Sequence, residues 1–167
     1  MYISLQPWSL DYKEQLVEYF NNINIWNNLR NYIPHPYTTE DAEKFILTQI
    51  ETFPSQNFAI FNENELVGGI GINLCNDVYV MNVELGYWIA EPFWHQGIAT
   101  IAVGLMTNYV FENFAINRIV AEVFEYNKPS MRVLEKNGYY LECLRRKSIL
   151  KNNYLYDDYV WVKQKVI

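Results

Sequence analysis

The sequence predicts a mixed α+β fold, built as one domain over residues 1–167. Three observations lead to this prediction. The length of 167 residues suits one domain, since domains usually have about 100 to 200 residues. Two segments of helical periodicity precede a run of short, turn-bounded segments of strand type. In the second half, helices and strands alternate, which predicts a single region of helix crossover.

The first half is predicted to contain a strand, two helices and a three-stranded meander. Ser9 caps the first helix, Thr38 or Thr39 caps the second, and Pro54 ends it. The segment between the two helices is rich in Asn and Pro, which favours an irregular loop. The predicted segments are strand 3–8, helix 10–22, loop 24–37, helix 40–53 and strands 57–61, 66–74 and 79–89. In the second helix the predicted inward-facing residues are Ala42, Phe45, Ile46 and Ile50.

The second half is predicted to contain two helices and three strands. The long helix carries two apolar stripes, so we expect it to be covered on two sides. The next helix has Asn127 as its N-cap, Pro129 in its first turn and Gly138 after its end. The predicted bounds are helix 97–114, strand 118–125, helix 127–138 and strands 139–150 and 154–165.

Composition argues against several classes of function. The formal net charge is −6, whereas nucleic-acid binding depends on basic patches. No apolar run is long enough to cross a membrane, and no signal peptide is recognisable, so we expect a cytoplasmic protein. Cys75 and Cys143 form no CxxC pattern. With His35 and His95 as the only histidines, we expect no metal site.

A candidate ligand site lies where the third strand of the meander ends and the long helix begins. The strand ends at Glu91-Pro92, and the helix starts near Gly97. The first N–H groups of a helix have no partner within it and lie at the positive end of its dipole. Such groups can bind a phosphate, although the same pattern is typical of an ordinary strand-to-helix turn. The amides concerned are those of Gln96, Gly97, Ile98 and Ala99.

Three further features accompany this turn. Asn127 and Ser130 begin the following helix, where capping is the ordinary role of such residues. Glu84 lies in mid-strand, opposite the main apolar row, where a carboxylate is exposed, paired or catalytic. The segment 26–37 is rich in aromatic residues and proline, which is typical of a lid or of an ordinary surface loop.

Together and in this order, these features resemble the GCN5-related N-acetyltransferase (GNAT) superfamily. Within it, the sequence is most similar to the ribosomal-protein N-terminal acetyltransferases of the Rim type. The resemblance runs through "VELGYWIAEPFWHQGIATIAVGLM" and on to "RRK", and includes "IPHPYTTEDAEKFI" and "YLYDDYVWV". It implies a GNAT-type fold, with a central, mostly antiparallel sheet of six to seven strands. The sheet is splayed between strands 4 and 5 and flanked by about four helices.

The resemblance also implies acetyl-CoA as co-substrate, without a metal. The superfamily's pyrophosphate loop, Q/R-x-x-G-x-G/A, falls on Trp94–Ala99, where Gly97 and Ala99 fit and His95 replaces the usual glycine. Asn127 matches an asparagine that contacts the pantetheine arm, and Ser130 matches a serine near the departing thiolate. The implied backbone contacts are Trp88, Ile89 and Ala90 for pantetheine, and His95, Gln96, Gly97, Ile98, Ala99 and Thr100 for the pyrophosphate.

The chemistry implied by the resemblance is direct attack of a neutral amine on the thioester. The enzyme then has to remove a proton from the ammonium and stabilise the thiolate. Glu84 aligns with a strand-four glutamate and is the predicted base, acting through a water, and Ser130 is the predicted donor to the thiolate. A tyrosine acid of other branches falls near Leu134, and a glutamate of one Rim-type branch falls on Ile149, so neither group is present here.

The predicted acceptor is the α-amine of a protein or peptide N-terminus. At pH 7.5 an α-amine with a pKa of about 7.8 is roughly one-third neutral, whereas a lysine amine is neutral about once in 800 molecules. One carboxylate base therefore suits an α-amine better. Trp26, Tyr32 and Tyr37 are predicted to line the acceptor pocket with Glu84, although packing under a loop explains the aromatic residues equally well.

Two other functions remain open from the sequence. The first is acetylation of a small amine, such as a polyamine, an amino sugar or an antibiotic, which a narrow acidic pocket would favour. The second is a non-catalytic acyl-CoA-binding module, because His95 and Ile149 depart from the family pattern. A homodimer and a monomer are both compatible with the apolar composition.

Overall fold

The computed structural model describes residues 1–165, and in that range it contains seven strands and five α-helices. The last two residues of the predicted domain 1–167 lie outside the described residues. The elements are β1 Ile3–Gln6, α1 Lys13–Phe20, α2 Ile23–Trp26, α3 Thr39–Glu51, β2 Asn57–Asn62, β3 Glu65–Leu74, β4 Asn82–Ile89, α4 Ile98–Asn113, β5 Arg118–Phe124, α5 Lys128–Lys136, β6 Tyr140–Lys151 and β7 Tyr154–Gln164.

The seven strands form one sheet in the order β1-β2-β3-β4-β5-β7-β6. The pairs β1–β2, β2–β3, β5–β7 and β6–β7 are antiparallel, and β4–β5 is parallel. The predicted mixed α+β fold with a mostly antiparallel sheet is therefore confirmed. The described residues contain one helix more than the predicted four. The additional one is α2, a single turn in which the Asn22 side chain caps the amide of Asn24 at 2.8 Å.

The parallel pair β4–β5 is short. Its register runs from Asn82 opposite Arg118 to Glu84 opposite Val120. β5 continues to Phe124, which still pairs with Asp158 of β7 on its other edge. Within the described residues the β4–β5 register thus ends at Glu84, in agreement with the predicted splay between strands 4 and 5.

Contacts divide the chain into two compact units. The first contains Met1–Gly71 and Tyr87–Ala102, and the second contains Ile72–Gly86 and the chain from Val103 onward. The core of the first unit is one cluster of buried side chains: Trp8, Leu16, Phe20, Tyr37, Ala42, Ile46, Ala59, Phe61 and Leu66.

Helix α3 supplies part of that core. Thr38 caps it through a capping box with Asp41. Ala42 and Ile46, one turn apart, lie on the buried stripe of the helix, and both are 0% exposed. The prediction that Ile50 also faces inward is wrong, since its side chain is 54% exposed. With 3.6 residues per turn, Ile50 is rotated away from Ala42 and lies in the last turn of the helix.

The second unit is built on the β5–β7–β6 part of the sheet. Alternate residues of β5 are buried, namely Ile119, Ala121 and Val123, as expected for a strand with one face in a core. The guanidinium of Arg145 pairs with Glu122 of β5 and with the fully buried Asp158 of β7. Arg145 supplies the charged partner that the buried Asp158 carboxylate requires. The ion pairs thereby link the three neighbouring strands β5, β7 and β6.

Candidate active site

The end of β4 is bonded to β3 along one edge. The Ala90 amide donates to the carbonyl of Val67 at 2.9 Å, and the Ala90 carbonyl accepts from the Phe93 amide at 2.9 Å. Neighbouring residues of a strand turn their backbone groups to opposite edges. Of the three residues predicted to contact pantetheine, Ile89 therefore turns its backbone groups to the other edge, whereas both groups of Ala90 already have partners.

The indole of Trp88 is partly buried and packs against the core of the first unit. Its ring packs on Phe20, with centroids 4.7 Å apart and an interplanar angle of 84°. Its carbonyl oxygen would be 2.3 Å from a Cβ placed on Gly68. A side chain at position 68 would therefore push β3 away from β4 at this point. Trp88 fixes the strand end, and its backbone carbonyl lies toward β3.

The loop after β4 is closed by side-chain hydrogen bonds. The indole of Trp94 donates from Nε1 to the carbonyl of Ile89 at 2.7 Å, and Nε2 of Gln96 donates to the carbonyl of Pro92 at 3.2 Å. His95 and Gly97 adopt left-handed backbone conformations, with φ of 62° and 82°. Histidine is among the residues enriched in that region, so position 95 accepts it where glycine is usual in the family. The His95 side chain is exposed.

The N-terminus of α4 presents a row of amides to this loop. Helical hydrogen bonding begins with the amides of Thr100 and Ile101, which donate to the Gly97 carbonyl at 3.1 and 3.3 Å. Within residues 1–165, the four preceding amides have no hydrogen-bond acceptor: Gln96, Gly97, Ile98 and Ala99. The first turn of α4 contains no acidic residue. This amide row therefore suits an anion such as a diphosphate.

The aromatic residues predicted for the acceptor pocket have different environments within the first unit. Tyr37 is a core residue, 7% exposed, and burial raises the pKa of its phenol to about 12. Trp26 donates from Nε1 to the Ile33 carbonyl at 2.9 Å and stacks on His35 with centroids 5.3 Å apart. Tyr32 is 74% exposed. For Tyr37, the placement agrees with the packing interpretation of the sequence.

Glu84 belongs to the second unit. Its neighbours along β4, Val83 and Leu85, are buried, so the half-buried Glu84 lies on the opposite face of the strand, as the alternation predicts. The pKa of the Cys75 thiol is raised, first by burial and then by the charge of Glu84. Glu84 therefore lies close enough to Cys75 to affect the pKa of that thiol.

Asn127 and Ser130 also belong to the second unit. Oδ1 of Asn127 accepts a hydrogen bond from the Ser130 amide at 3.3 Å, which makes Asn127 the N-cap of α5. Within the described part of the chain, the Nδ2 group of Asn127 makes no hydrogen bond. It therefore retains two donors for a ligand. Leu134, near which the tyrosine acid of other branches was expected to fall, is fully buried.

No group of three or more His, Cys, Asp or Glu side chains in residues 1–165 is arranged to hold a metal ion. None of the helices in that range combines the length and apolar character that crossing a membrane requires.

Sequence comparison identifies the family. The profile of the acetyltransferase (GNAT) domain matches residues 3–140, so the chain belongs to this family and is an N-acetyltransferase. The probable N-acetyltransferase YjcK of Bacillus subtilis is 31% identical over 128 residues, which cover 74% of this chain and 70% of YjcK. The ribosomal-protein-serine acetyltransferase of Escherichia coli is 33% identical over 102 residues, 60% of this chain and 55% of that protein. The second match thus spans about half of that relative.

A solved structure with a similar fold is the spermidine N-acetyltransferase of Vibrio cholerae in complex with CoA and spermine. It has a TM-score of 0.82 and 17% sequence identity, and the match covers 97% of this chain and 95% of that one. At this identity the likeness concerns the fold.

Two contacts at this site were not predicted from the sequence. One is the hydrogen bond from the Trp94 indole to Ile89, and the other joins Glu91 to Asn22 across 69 positions. The Trp94 contact is local, and an indole shortly after a strand end is the signal that would have indicated it. The Glu91 contact has no signal in sequence spacing.

Proposed function

We propose that the protein transfers the acetyl group of acetyl-CoA to the α-amine of a protein or peptide N-terminus, as a single domain. The amide row at the start of α4 carries the co-substrate part of this proposal. A diphosphate is doubly charged, and four amides without acceptors at the positive end of a helix are a strong match for it. The absence of acidic residues in the first turn of α4 also supports it.

Each part of the co-substrate has proposed partners. The amides of residues 95–99 bind the pyrophosphate, and Gly97 lets the backbone approach it, since a Cβ there would stand in open space. The Thr100 amide, which the resemblance also implied, already donates to the Gly97 carbonyl at 3.1 Å. The amide of Ile89 donates to the pantetheine arm in the manner of an added strand, whereas the Ile89 carbonyl already accepts from the Trp94 indole. Nδ2 of Asn127 donates to a pantetheine carbonyl, while its Oδ1 continues to cap α5.

The reaction is a direct acyl transfer. The amine nitrogen forms a bond to the thioester carbonyl carbon, and the carbon–sulfur bond breaks with its electron pair going to sulfur. Glu84 accepts the proton that the amine has to lose, through a water molecule. The hydroxyl of Ser130 donates a hydrogen bond to the leaving thiolate. The products are an N-acetylated amine and CoA.

The preference for an α-amine rests on its pKa and on similarity. Near pH 7.5 about one-third of an α-amine is already neutral. A single carboxylate is therefore a sufficient base for such an amine. The relative from Escherichia coli is named as a ribosomal-protein-serine acetyltransferase, which supports a protein acceptor. The spermidine acetyltransferase from Vibrio cholerae makes a polyamine the alternative to test.

An acetyl-transfer assay with two acceptor classes tests this proposal. The assay compares three acceptors at equal concentration. They are short peptides with a free N-terminus and an internal lysine, the same peptides with a blocked N-terminus, and spermine. We expect turnover with the free N-terminus and none with the blocked peptide. A higher rate with spermine than with the free N-terminus would indicate that the acceptor is a small amine.

The variant Glu84→Gln tests the proposed general base. We expect kcat to fall by about 100-fold or more, the usual contribution of a general base, while the Kd for acetyl-CoA stays within about twofold. The rate of the variant should rise as the pH approaches about 8, where the α-amine loses its proton without help. Glu51→Gln, at the exposed end of α3, is the matched control. Equal turnover of Glu84→Gln and wild type would remove Glu84 from the mechanism.

A further inference from the structure

The carboxylate of Glu91 is held by two asparagine side chains from a distant part of the sequence. Nδ2 of Asn22 donates to one carboxylate oxygen at 2.5 Å. Nδ2 of Asn24 donates to both oxygens at 3.1 Å. These three hydrogen bonds lower the pKa of Glu91, with Asn22 as the largest cause. The three side chains form a junction within the first unit.

On one side, the junction continues into the loop that precedes α4. Glu91 follows Ala90, whose amide is bound to Val67 of β3, and the Glu91 carbonyl accepts from the Trp94 amide at 3.1 Å. The Trp94 indole then returns to the Ile89 carbonyl at 2.7 Å. Glu91 is therefore bonded into the loop that leads to the amide row.

On the other side, the junction continues into the corner between α1 and α2. Oδ1 of Asn22 accepts from the Asn24 amide at 2.8 Å and so fixes the first turn of α2. The adjacent Asn21 side chain makes two hydrogen bonds of 2.8 Å with the backbone of Tyr37. The corner thereby holds both ends of the aromatic segment 26–37.

We propose that Glu91 is a positioning residue that ties the loop before α4 to the α1–α2 corner. The inference rests on the proposed function, because the loop is the proposed pyrophosphate site and the segment 26–37 contains candidate acceptor contacts. Since one junction orders both segments, loosening it weakens the binding of acetyl-CoA and of the acceptor together. Coupling of this kind is reciprocal between the two ligands.

A swap of donor and acceptor tests the junction. Glu91→Gln removes the charge, Asn22→Asp sets two carboxylates against each other, and the double variant restores a donor–acceptor pair with reversed direction. Aspartate caps a helix as well as asparagine, so α2 keeps its N-cap. The net charge of the double variant equals that of wild type. Glu51→Gln again serves as a control for loss of a surface charge.

Positioning and simple electrostatics give different orders of acetyl-CoA affinity. If charge alone acts on the anionic ligand, Glu91→Gln binds more tightly than wild type. Under positioning, both single variants bind about tenfold more weakly, the effect of one charge-assisted hydrogen bond, and the double variant recovers most of the loss. The KM for the acceptor rises and recovers in parallel. Single variants that bind as wild type, or a double variant that is no better than Asn22→Asp, would overturn the proposal.

Hydrogen exchange of the protein without ligand separates this inference from the proposed function. Asn22→Asp should accelerate exchange of the amides in residues 91–101, and the double variant should restore their protection. If wild type binds no acetyl-CoA, the proposed function fails and the exchange result alone decides on the junction. Unchanged exchange in Asn22→Asp would refute the junction whether or not acetyl-CoA binds.

Discussion

Replacement of Gly97 by alanine is expected to affect stability and ligand binding through the backbone. A Cβ at this position meets no atom within 4 Å, so no clash contributes. The φ of 82° costs an L-residue about 1–2 kcal/mol. Alanine also restricts the unfolded chain, which offsets about 0.4–1 kcal/mol. The free energy of unfolding should therefore fall by about 1 kcal/mol, equivalent to a Tm lower by about 2–4 °C for a chain of this length.

Thermal unfolding and calorimetric titration with acetyl-CoA measure the two effects. Gly86→Ala is the control for unfolding, because its Cβ also meets no atom within 4 Å and its φ lies outside the left-handed region. Acetyl-CoA should bind Gly97→Ala at least about tenfold more weakly, since the methyl group prevents one charged hydrogen bond. A Gly97→Ala protein with the Tm and affinity of wild type would contradict both the backbone cost and the close approach of the ligand at Gly97.

Three further predictions concern neighbouring residues. His95→Gly relieves a left-handed histidine, so its unfolding free energy should equal that of wild type or exceed it by up to about 1 kcal/mol; calorimetry should give an acetyl-CoA affinity within a few-fold, and a tenfold loss would give the imidazole a direct role. Asn127→Asp keeps the N-cap, so its Tm should stay unchanged while acetyl-CoA binds about tenfold more weakly through loss of the Nδ2 donor; a drop in Tm without loss of affinity would contradict this. Hydrogen bonds lower the pKa of Glu91 below its ordinary value of 4.5. Wild type should therefore have a higher free energy of unfolding than Glu91→Gln above pH 4.5, and this difference should disappear as the pH falls through the lowered pKa. A difference between the two proteins that stays constant at every pH in acid unfolding would contradict this prediction.

The elements of the fold were largely predictable because their signals are local. Strand alternation indicated the buried positions around Glu84, and the capping residues Thr38 and Asn127 mark the starts of α3 and α5 as predicted. The short helix α2 was not predicted, since a single turn has too few residues for a periodic pattern. Ile50 was misassigned because the stripe of a helix drifts around its axis.

The site was predictable only where its geometry follows from the backbone. The break at Gly97 indicates the amide row, because the first amides of any helix lack internal partners. The partners of Ala90 were not predictable, since they depend on the register of β3 with β4. The burial of Tyr37 and the junction at Glu91 depend on side chains brought together by tertiary packing, for which the sequence holds no spacing signal.

The most direct test of the pyrophosphate site is a calorimetric titration of the wild-type protein with acetyl-CoA and with acetyl-pantetheine, which lacks the diphosphate. If the amide row binds the diphosphate, acetyl-CoA binds saturably, and affinity falls by about 100-fold or more without the diphosphate, because several charge-assisted hydrogen bonds disappear. Equal affinity for the two ligands, or no binding of acetyl-CoA at millimolar concentration, would contradict the assignment of the amide row as the pyrophosphate site.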